Sequence, residues 1–337
     1  MGIMRLELLH FKLQSGTSTS LESRVQPTME EAKARIDAWY ESGRLFFPKK
    51  RIRELGEQLK GLPATGGKIV IEDLNGDTIE GVVPKAEGKF AGMKLGIEYK
   101  DARHLKDEID GCWGVGPLGF SPLQVVYWRY DVLDDETRDH ETVVREFGEK
   151  IRIWEASEAC KKFKSTLSQN VSSHEIDTIV GFACGSLSRP YNPRTDYQHA
   201  LLMTLKNWLR EQAPSKKLHC YIQDPINTSA DKKILAEFEF DVVEDPVGWD
   251  TVTEQSVVLS IAPNVPVKQI VENIARPAIV IWAAIKDVDR HIIDPDTSRT
   301  RKMREHYDVY DLGDEKHLGD AVIYIRKEKV VPVCKSG

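Results

Sequence analysis

The chain lacks several features that would quickly assign it to a class of protein. Its five cysteines include no C-x-x-C pair, and an odd number of scattered thiols favours a reducing environment over a disulfide framework. The most apolar run, from Pro277 to Ile285, is far shorter than the roughly 20 residues that cross a bilayer, and it predicts a buried strand instead. Residues 1–13 carry charges and lack the apolar core of a signal peptide. We therefore expect a cytoplasmic protein, with nuclear presence also compatible, and no membrane association.

The composition is that of an ordinary folded protein without the charge pattern of a nucleic-acid binder. Apolar residues make up 41% and charged residues 30% of the chain, which argues against the disordered and fibrous classes. The formal net charge of -6 argues against general nucleic-acid binding, because phosphate affinity depends on clustered Lys and Arg; a specific contact stays open. A length of 337 residues allows two domains, or one large domain with an elaborated N-terminal half.

Residues 1–27 are predicted to be a flexible N-terminal segment, because their later part is rich in Ser and Thr and has no periodicity. Order is expected to begin at Thr28. This residue forms a capping-box pair with Glu31, at the start of a helix that ends at Gly43. A second helix is predicted over about residues 49–60.

The rest of the N-terminal half is predicted to be rich in β-structure. Asn75-Gly76 lies between two β-prone runs and predicts a tight hairpin. The basic string from Pro48 to Arg53 is similar to a nuclear-import or phosphate-binding sequence, but its apolar spacing favours the solvated face of a helix. We expect residues 28–135 to form an N-terminal α+β portion.

The C-terminal part predicts a Rossmann-like α/β domain. Over residues 136–170 apolar positions recur at three- and four-residue steps, which predicts a long helical connector or two helices in tandem. From Ile176 onward, strand patterns alternate with helical patterns, and this alternation predicts a doubly wound, mostly parallel sheet over residues 171–330. A last strand, from Asp320 to Arg326, is expected at the edge of this sheet.

The first loop of this domain is the leading candidate binding site. The predicted strand ends in Gly-Phe-Ala-Cys-Gly-Ser, and glycines between a strand and a helix let a ligand approach the backbone amides. The candidate ligand-binding residues here are Gly181, Gly185, Ser186, Ser188 and Arg189. The third glycine of the dinucleotide fingerprint is absent, so a turn in which glycine serves packing is an equally good interpretation.

Two later strand ends supply further candidates, because ligands of open α/β sheets dock at the carboxyl ends of the strands. Asp224 could accept hydrogen bonds from ribose hydroxyls, although it lies farther after Gly185 than the usual spacing of about 20 residues. A turn that opens the next helix is the alternative role for Asp224. Asn264 is a candidate ligand contact after a later strand, but a helix N-cap is the favoured role.

The helix after the first loop carries Gln198 and His199 in its first turn. Gln198 is a candidate ligand contact. His199 and Asp224 are the candidates for proton transfer, although an isolated helical histidine is more often structural. Cys184 has no identifiable base and is better interpreted as a small buried side chain. No residues have the spacing of a metal site, and the sequence specifies no cofactor.

Four segments, taken in order, resemble the sensitivity-to-red-light-reduced (SRR-like) domain family, fungal members in particular. They are I-V-G-F-A-C-G-S-L-S, D-Y-Q-H-A-L-L-M-T-L, C-Y-I-Q-D-P and the strand that ends at Ala262-Pro263. The similarity is clearest over residues 172–284. The strings W-Y-E-S-G and F-F-P-K-K-R-I-R-E-L are similar to those that precede the domain in fungal members.

The resemblance implies a Rossmann-like domain in a soluble intracellular protein. Plant members are tied to light signalling and circadian regulation, and animal members to haem metabolism and clock control, without one reaction for the whole family. Plant and animal members tend to carry Pro-His-Cys after the fourth strand, where this chain has Pro263-Asn264-Val265, so no role of that His and Cys is expected here. The first loop also departs from methyltransferase motif I, which leaves methyl transfer a fold-level analogy.

Three functions are compatible with these patterns. The first is a regulatory protein that binds a small anionic or nucleotide-like ligand at the carboxyl ends of the strands. The second is an enzyme of transferase or isomerase type that acts on a small metabolite in the same pocket. The third is a noncatalytic interaction scaffold. The sequence does not decide whether the protein is an enzyme, and it identifies no protein partner.

Overall fold

The structure, a computed structural model, describes residues 4–8, 11–13, 27–111, 120–130, 137–171, 176–190, 192–288 and 292–327. Their chain forms two compact units. The first contains the described residues up to 136 together with 244–250 and 264–274, and the second contains those of 137–243, 251–263 and 275 onward.

The first unit contains two three-stranded antiparallel sheets, with strand orders β1-β6-β5 and β2-β4-β3. Its strands are β1 (Met4–Leu8), β2 (Phe11–Leu13), β3 (Gly67–Glu72), β4 (Thr78–Val83), β5 (Lys94–Tyr99) and β6 (Leu123–Tyr130). Its helices are α1 (Met29–Glu41), α2 (Lys49–Leu59), α3 (Leu62–Thr65), α4 (Ala102–Gly111) and, later in the chain, α10 (Val267–Ile274). Two of these strands, β1 and β2, lie within residues 1–27, for which flexibility was expected. Backbone pairing with β6 and β4 orders them.

Two local predictions in this unit are confirmed. Thr28 and Glu31 form a capping box at the start of α1. The Asn75-Gly76 hairpin joins β3 to β4, and Gly76 has a φ of +87°, in the left-handed region that glycine tolerates.

The basic string lies on the solvated face of α2, as its spacing predicts. Ile52 and Leu55 are buried, whereas Arg51 forms an ion pair with Glu72. Arg53 forms another, with 2.7 Å between its Nε and a carboxylate oxygen of Asp250.

The second unit is built on a seven-stranded sheet. Its strands are β7 (Thr178–Phe182), β8 (His219–Gln223), β9 (Asp241–Val242), β10 (Ser256–Ser260), β11 (Ile279–Ala283), β12 (Tyr307–Asp311) and β13 (Ala321–Arg326). Its helices are α5 (His140–Ala156), α6 (Glu158–Asn170), α7 (Pro193–Gln212), α8 (Ser229–Glu237), α11 (Ser298–Arg304) and α12 (Glu315–Leu318). A short helix, α9 (Val247–Thr251), crosses the boundary between the units.

The strand order β12-β13-β11-β10-β7-β8-β9 confirms a Rossmann-like, doubly wound sheet. Strands β7 to β11 pair in parallel, and the order reverses at β7, where the chain proceeds first to β8 and β9 and then to β10 on the other side. The prediction of β13 as an edge strand is wrong. It lies antiparallel between β11 and β12, and β12 forms the edge.

The helices expected to connect the two halves belong to the second unit. Their buried residues Phe147, Trp154 and Phe163 join the core cluster that covers one face of the sheet. Two helices in tandem form here, because Ser157 ends α5 and caps α6: its Oγ accepts the Cys160 N–H at 3.1 Å.

Candidate functional site

The candidate site lies where the sheet order reverses, at the carboxyl ends of β8, β7 and β10. These strands are neighbours in the sheet, so the turns that follow them share one edge. The turns after β7 and β10 contain Ala183 and Ala262, which have φ angles of +53° and +55°. Left-handed backbone is unfavourable for residues other than glycine and is concentrated at functional sites, so this edge is the best candidate in the second unit.

Asp224, the first residue after β8, joins the first two strand ends. One of its carboxylate oxygens accepts the Gly185 N–H at 2.7 Å, and the other accepts the Ile226 N–H at 3.1 Å. The side chain is half-buried, so solvent reaches it. These two backbone contacts orient the Asp224 carboxylate at this edge of the sheet.

Ser186 and Ser188 are held by a carboxylate that sequence reasoning missed. Ser186 Oγ donates to Asp231 at 2.7 Å, and the Ser188 N–H donates to the same side chain at 2.8 Å. Thr228 also hydrogen bonds to Asp231, whose side chain is fully buried. The predicted ligand contacts at both serines therefore have structural partners inside the protein.

Arg189 also ties the two loops together. Its Nε donates to the Ile226 carbonyl at 3.3 Å, and its backbone N–H donates to Ser186 Oγ at 3.2 Å. Together with the Gly185 N–H, these donors were expected to face an anion. The structure shows them donating to oxygen atoms of the protein.

Gly181, which the structure places in β7, and Gly185, which lies in the first loop, are required for different reasons. A Cβ on Gly181 would lie within 3 Å of Ile222, Cys184 and Leu202, so this glycine allows the strand to pack in the core. Gly185 has a φ of +82°, and a Cβ there would lie 2.3 Å from Thr195 Oγ1. The sequence predicts that a ligand approaches Gly185 closely. In the structure, the group close to Gly185 is the Thr195 side chain of α7.

His199 is fully buried, and its Nε2 lies 3.1 Å from the Gly185 carbonyl oxygen. This contact places the proton on Nε2, because a carbonyl only accepts. Burial lowers the pKa of His199, so the ring is neutral near pH 7. Its Nδ1 and the Oε1 of Gln198 are buried and have no hydrogen-bond partner in the part of the chain that the structure describes.

Cys184 packs as a small buried side chain, as predicted. Burial, with a smaller contribution from Asp224, raises its pKa well above the usual thiol value. Since the thiolate is the nucleophile, this cysteine is unsuited to catalysis.

Asn264 is not the N-cap of the next helix. α10 begins at Val267, three residues farther on, and the Asn264 side chain is exposed. It also groups with the first unit, whereas the other candidate residues lie in the second. The N-cap prediction relied on Pro266 lying in the first turn of the helix, but Pro266 precedes the first helical residue, Val267.

Asp196, in the first turn of α7, is a titratable residue that sequence reasoning also missed. Burial raises its pKa to about 6, against opposing effects of Lys150 and Arg138. Arg138 contacts the first loop, because its backbone N–H donates to the Ser188 carbonyl at 2.7 Å. An aspartate in a helical first turn is common, so no pattern distinguishes this one in the sequence.

Two further features were sought among the described residues: a metal-binding cluster and a membrane-spanning helix. Within the described ranges, no three His, Cys, Asp or Glu side chains cluster in a way that could hold a metal ion. No helix in those ranges is both long and apolar enough to cross a membrane.

The fold and this edge define a Rossmann-like α/β domain with a candidate ligand site. Residues 159–326 match the SRR1 domain model, so the chain carries an SRR1 domain and belongs to that family. The family resemblance noted in the sequence is thereby confirmed, and the fungal subtype stays a prediction.

Comparisons with curated proteins and with solved structures add no functional information. No curated protein matches the chain. A solved chain from the complex between the Haloferax volcanii Trm112 methyltransferase activator and a candidate methyltransferase is 12% identical, with a TM-score of 0.27, and the match covers 56% of this chain and 98% of that one. This likeness carries no argument about function.

Proposed function

We propose that the SRR1 domain of this protein binds a small hydroxyl-bearing, nucleotide-like ligand at the carboxyl edge of its sheet, in a regulatory role. The observation that carries the proposal is the oriented, half-buried carboxylate of Asp224 at the point of strand-order reversal. An acidic residue after the second strand of a Rossmann-type sheet is suited to accept hydrogen bonds from ribose hydroxyls.

A hydroxyl-bearing group suits this position better than an anion. The Gly185 N–H donates to Asp224, and the Ser188 N–H donates to Asp231. These two N–H groups are therefore not available to a phosphate, which would also be repelled by the two neighbouring carboxylates. If the ligand is a nucleotide, the sugar is the part that we assign to Asp224.

Thermal unfolding and calorimetry with ribose, adenosine, nicotinamide nucleotides, ATP and S-adenosylmethionine test the proposal. A ligand at 100 times its dissociation constant stabilises the protein by about 2.7 kcal/mol. We expect the ribose-containing compounds to bind wild type and to bind Asp224→Asn more weakly. Asp241→Ala, at an exposed aspartate on β9, is the matched control. Absence of binding by every compound would favour the scaffold alternative.

An enzyme is the second candidate, and Asp196 favours it. A carboxyl with a pKa of about 6 can gain and lose a proton near neutral pH. Incubation with metabolite mixtures followed by mass spectrometry tests this function. Conversion of a metabolite by wild type and its loss in Asp196→Asn would support it, and conversion by both proteins would exclude Asp196 as the acid or base.

A further inference from the structure

The turn after β8 carries a second polar side chain that the proposed function leaves unexplained. Residues Asp224 to Asn227 form a β-turn, in which the Asn227 N–H donates to the Asp224 carbonyl at 3.0 Å. Asp at the first position and Pro225 at the second are typical of such a turn, and its end residues lie within about 7 Å of each other. The side chains of Asp224 and Asn227 therefore leave the backbone close together.

The Asn227 carboxamide is buried without a hydrogen bond. The residue is 6% exposed, and neither Oδ1 nor Nδ2 has a partner in the described part of the chain. A buried amide in this state destabilises a protein, so native structures rarely keep one without a water or ligand to pair with it. Pro225, two residues earlier, is exposed, so this turn also reaches the surface.

Both chain neighbours of Asn227 are fixed to the first loop. The Ile226 carbonyl accepts a hydrogen bond from Arg189, and Thr228 Oγ1 lies 2.8 Å from Ser188 Oγ. The backbone on each side of Asn227 is therefore held, and its carboxamide is presented from a rigid segment. Rigid presentation of a polar group is what selective ligand recognition requires.

We infer that Asn227 recognises the base of a ribonucleoside whose sugar hydroxyls bind Asp224, an inference that rests on the proposed function. A carboxamide places an acceptor and a donor side by side in one plane, which complements a base edge with an N–H beside an acceptor atom. Two polar groups on one turn, one an acceptor for hydroxyls and one a planar donor–acceptor pair, match the sugar and the base of such a ligand.

Calorimetry with ribose, adenosine, guanosine, cytidine, uridine and purine riboside tests the inference. Purine riboside lacks the exocyclic amine and serves as the adenosine analogue without the donor. We expect at least one natural nucleoside to bind more tightly than ribose, and Asn227→Leu to weaken that nucleoside about 5- to 150-fold, the range of a bidentate contact. Asn227→Asp, which keeps the shape and removes the donor, should weaken it too. Ribose binding should be unchanged in both variants.

Thermal unfolding without ligand separates this role from a structural one. Asn170, also in the second unit, is the control, since its Nδ2 donates to Thr166 and its Oδ1 accepts from Tyr310. We expect Asn170→Leu to lower the midpoint and Asn227→Leu to leave it unchanged or raise it. An equal loss in both variants would show that a buried water satisfies Asn227, and would overturn the inference.

The binding outcomes distinguish the two proposals. Nucleosides that bind no more tightly than ribose, or that bind Asn227→Leu as they bind wild type, would overturn the role of Asn227 and leave the role of Asp224 intact. Failure of ribose and of every nucleoside to bind would overturn the proposed function and this inference together.

Discussion

Ser188 and Asp231, which are 43 positions apart in the chain, are joined by two hydrogen bonds in the interior of the second unit. The Ser188 N–H donates to one carboxylate oxygen at 2.8 Å, and its Oγ donates to the other at 3.0 Å. Both residues have no exposed surface. Asp231 also forms the capping box of α8 with Thr228, so one buried carboxylate fixes the first loop and starts the next helix.

Replacing Asp231 by Ala should destabilise the protein by about 2–4 kcal/mol, because it leaves several buried donors without an acceptor and removes a helix cap. Urea unfolding at neutral pH measures the change in the free energy of unfolding. Asp241→Ala, at an exposed position, should change that free energy by less than about 0.5 kcal/mol. An equally small effect of Asp231→Ala would show that water replaces the carboxylate.

The parallel part of the sheet could be predicted from the sequence because its strands are short apolar runs separated by helical patterns. β12 could not be predicted because its sequence, Tyr-Asp-Val-Tyr-Asp, contains two charged residues and so lacks the apolar run of the other strands. An exposed edge strand tolerates such charged side chains. Because the sequence does not predict β12, it places β13 at the edge of the sheet. The strands of the N-terminal segment escaped because their order depends on pairing with β6 and β4, which are distant in the chain.

The candidate site was located from the sequence, but its internal partners were not. The spacing Thr228-x-x-Asp231 is a capping-box signal that could have drawn attention to Asp231. Nothing local indicates that this carboxylate also accepts hydrogen bonds from the first loop. Asn227 likewise ends an ordinary Asp-Pro turn, and it is distinguished only by being buried with no side-chain hydrogen bond to any residue that the structure describes.

Gly185→Ala should destabilise the protein more than Gly313→Ala does. Both glycines have φ near +80°, so each substitution carries the cost of left-handed backbone, about 1–2 kcal/mol. A Cβ at Gly185 also meets Thr195 Oγ1 at 2.3 Å, whereas at Gly313 the nearest atom is Lys162 Cδ at 3.5 Å. Chemical denaturation of both variants gives the difference, which is the steric part. Adding Thr195→Ala to Gly185→Ala should recover some of it, and equal losses at the two glycines would contradict the clash.

Asp196→Asn should raise stability at neutral pH and reduce its dependence on pH. Burial raises the pKa of Asp196 from 3.8 to about 6, so the folded state binds a proton more tightly than the unfolded state. The resulting penalty is present in full above pH 6 and is relieved as the pH falls toward 3.8, and for this partly buried group it amounts to about 1–3 kcal/mol. Urea unfolding of wild type and variant between pH 4 and 8 measures it. Parallel pH profiles would show that Asp196 titrates normally.

His199→Gln should protect the protein from loss of stability at mildly acidic pH. Burial lowers the pKa of His199 below its usual value of 6.5, so the unfolded state takes up the proton first. This contribution to stability is present above pH 6.5 and is lost as the pH falls through that value toward the lower folded pKa. Glutamine keeps a donor for the Gly185 carbonyl but does not titrate.

Because Asp196 has the opposite effect on stability in the same pH range, the His199→Gln comparison is best made in the Asp196→Asn background, by urea unfolding from pH 5 to 8. We expect the difference between the two unfolding free energies to be constant above pH 7 and to shift in favour of the Gln variant below pH 6. A variant that loses stability in parallel with its parent would show that folding does not shift the pKa of His199.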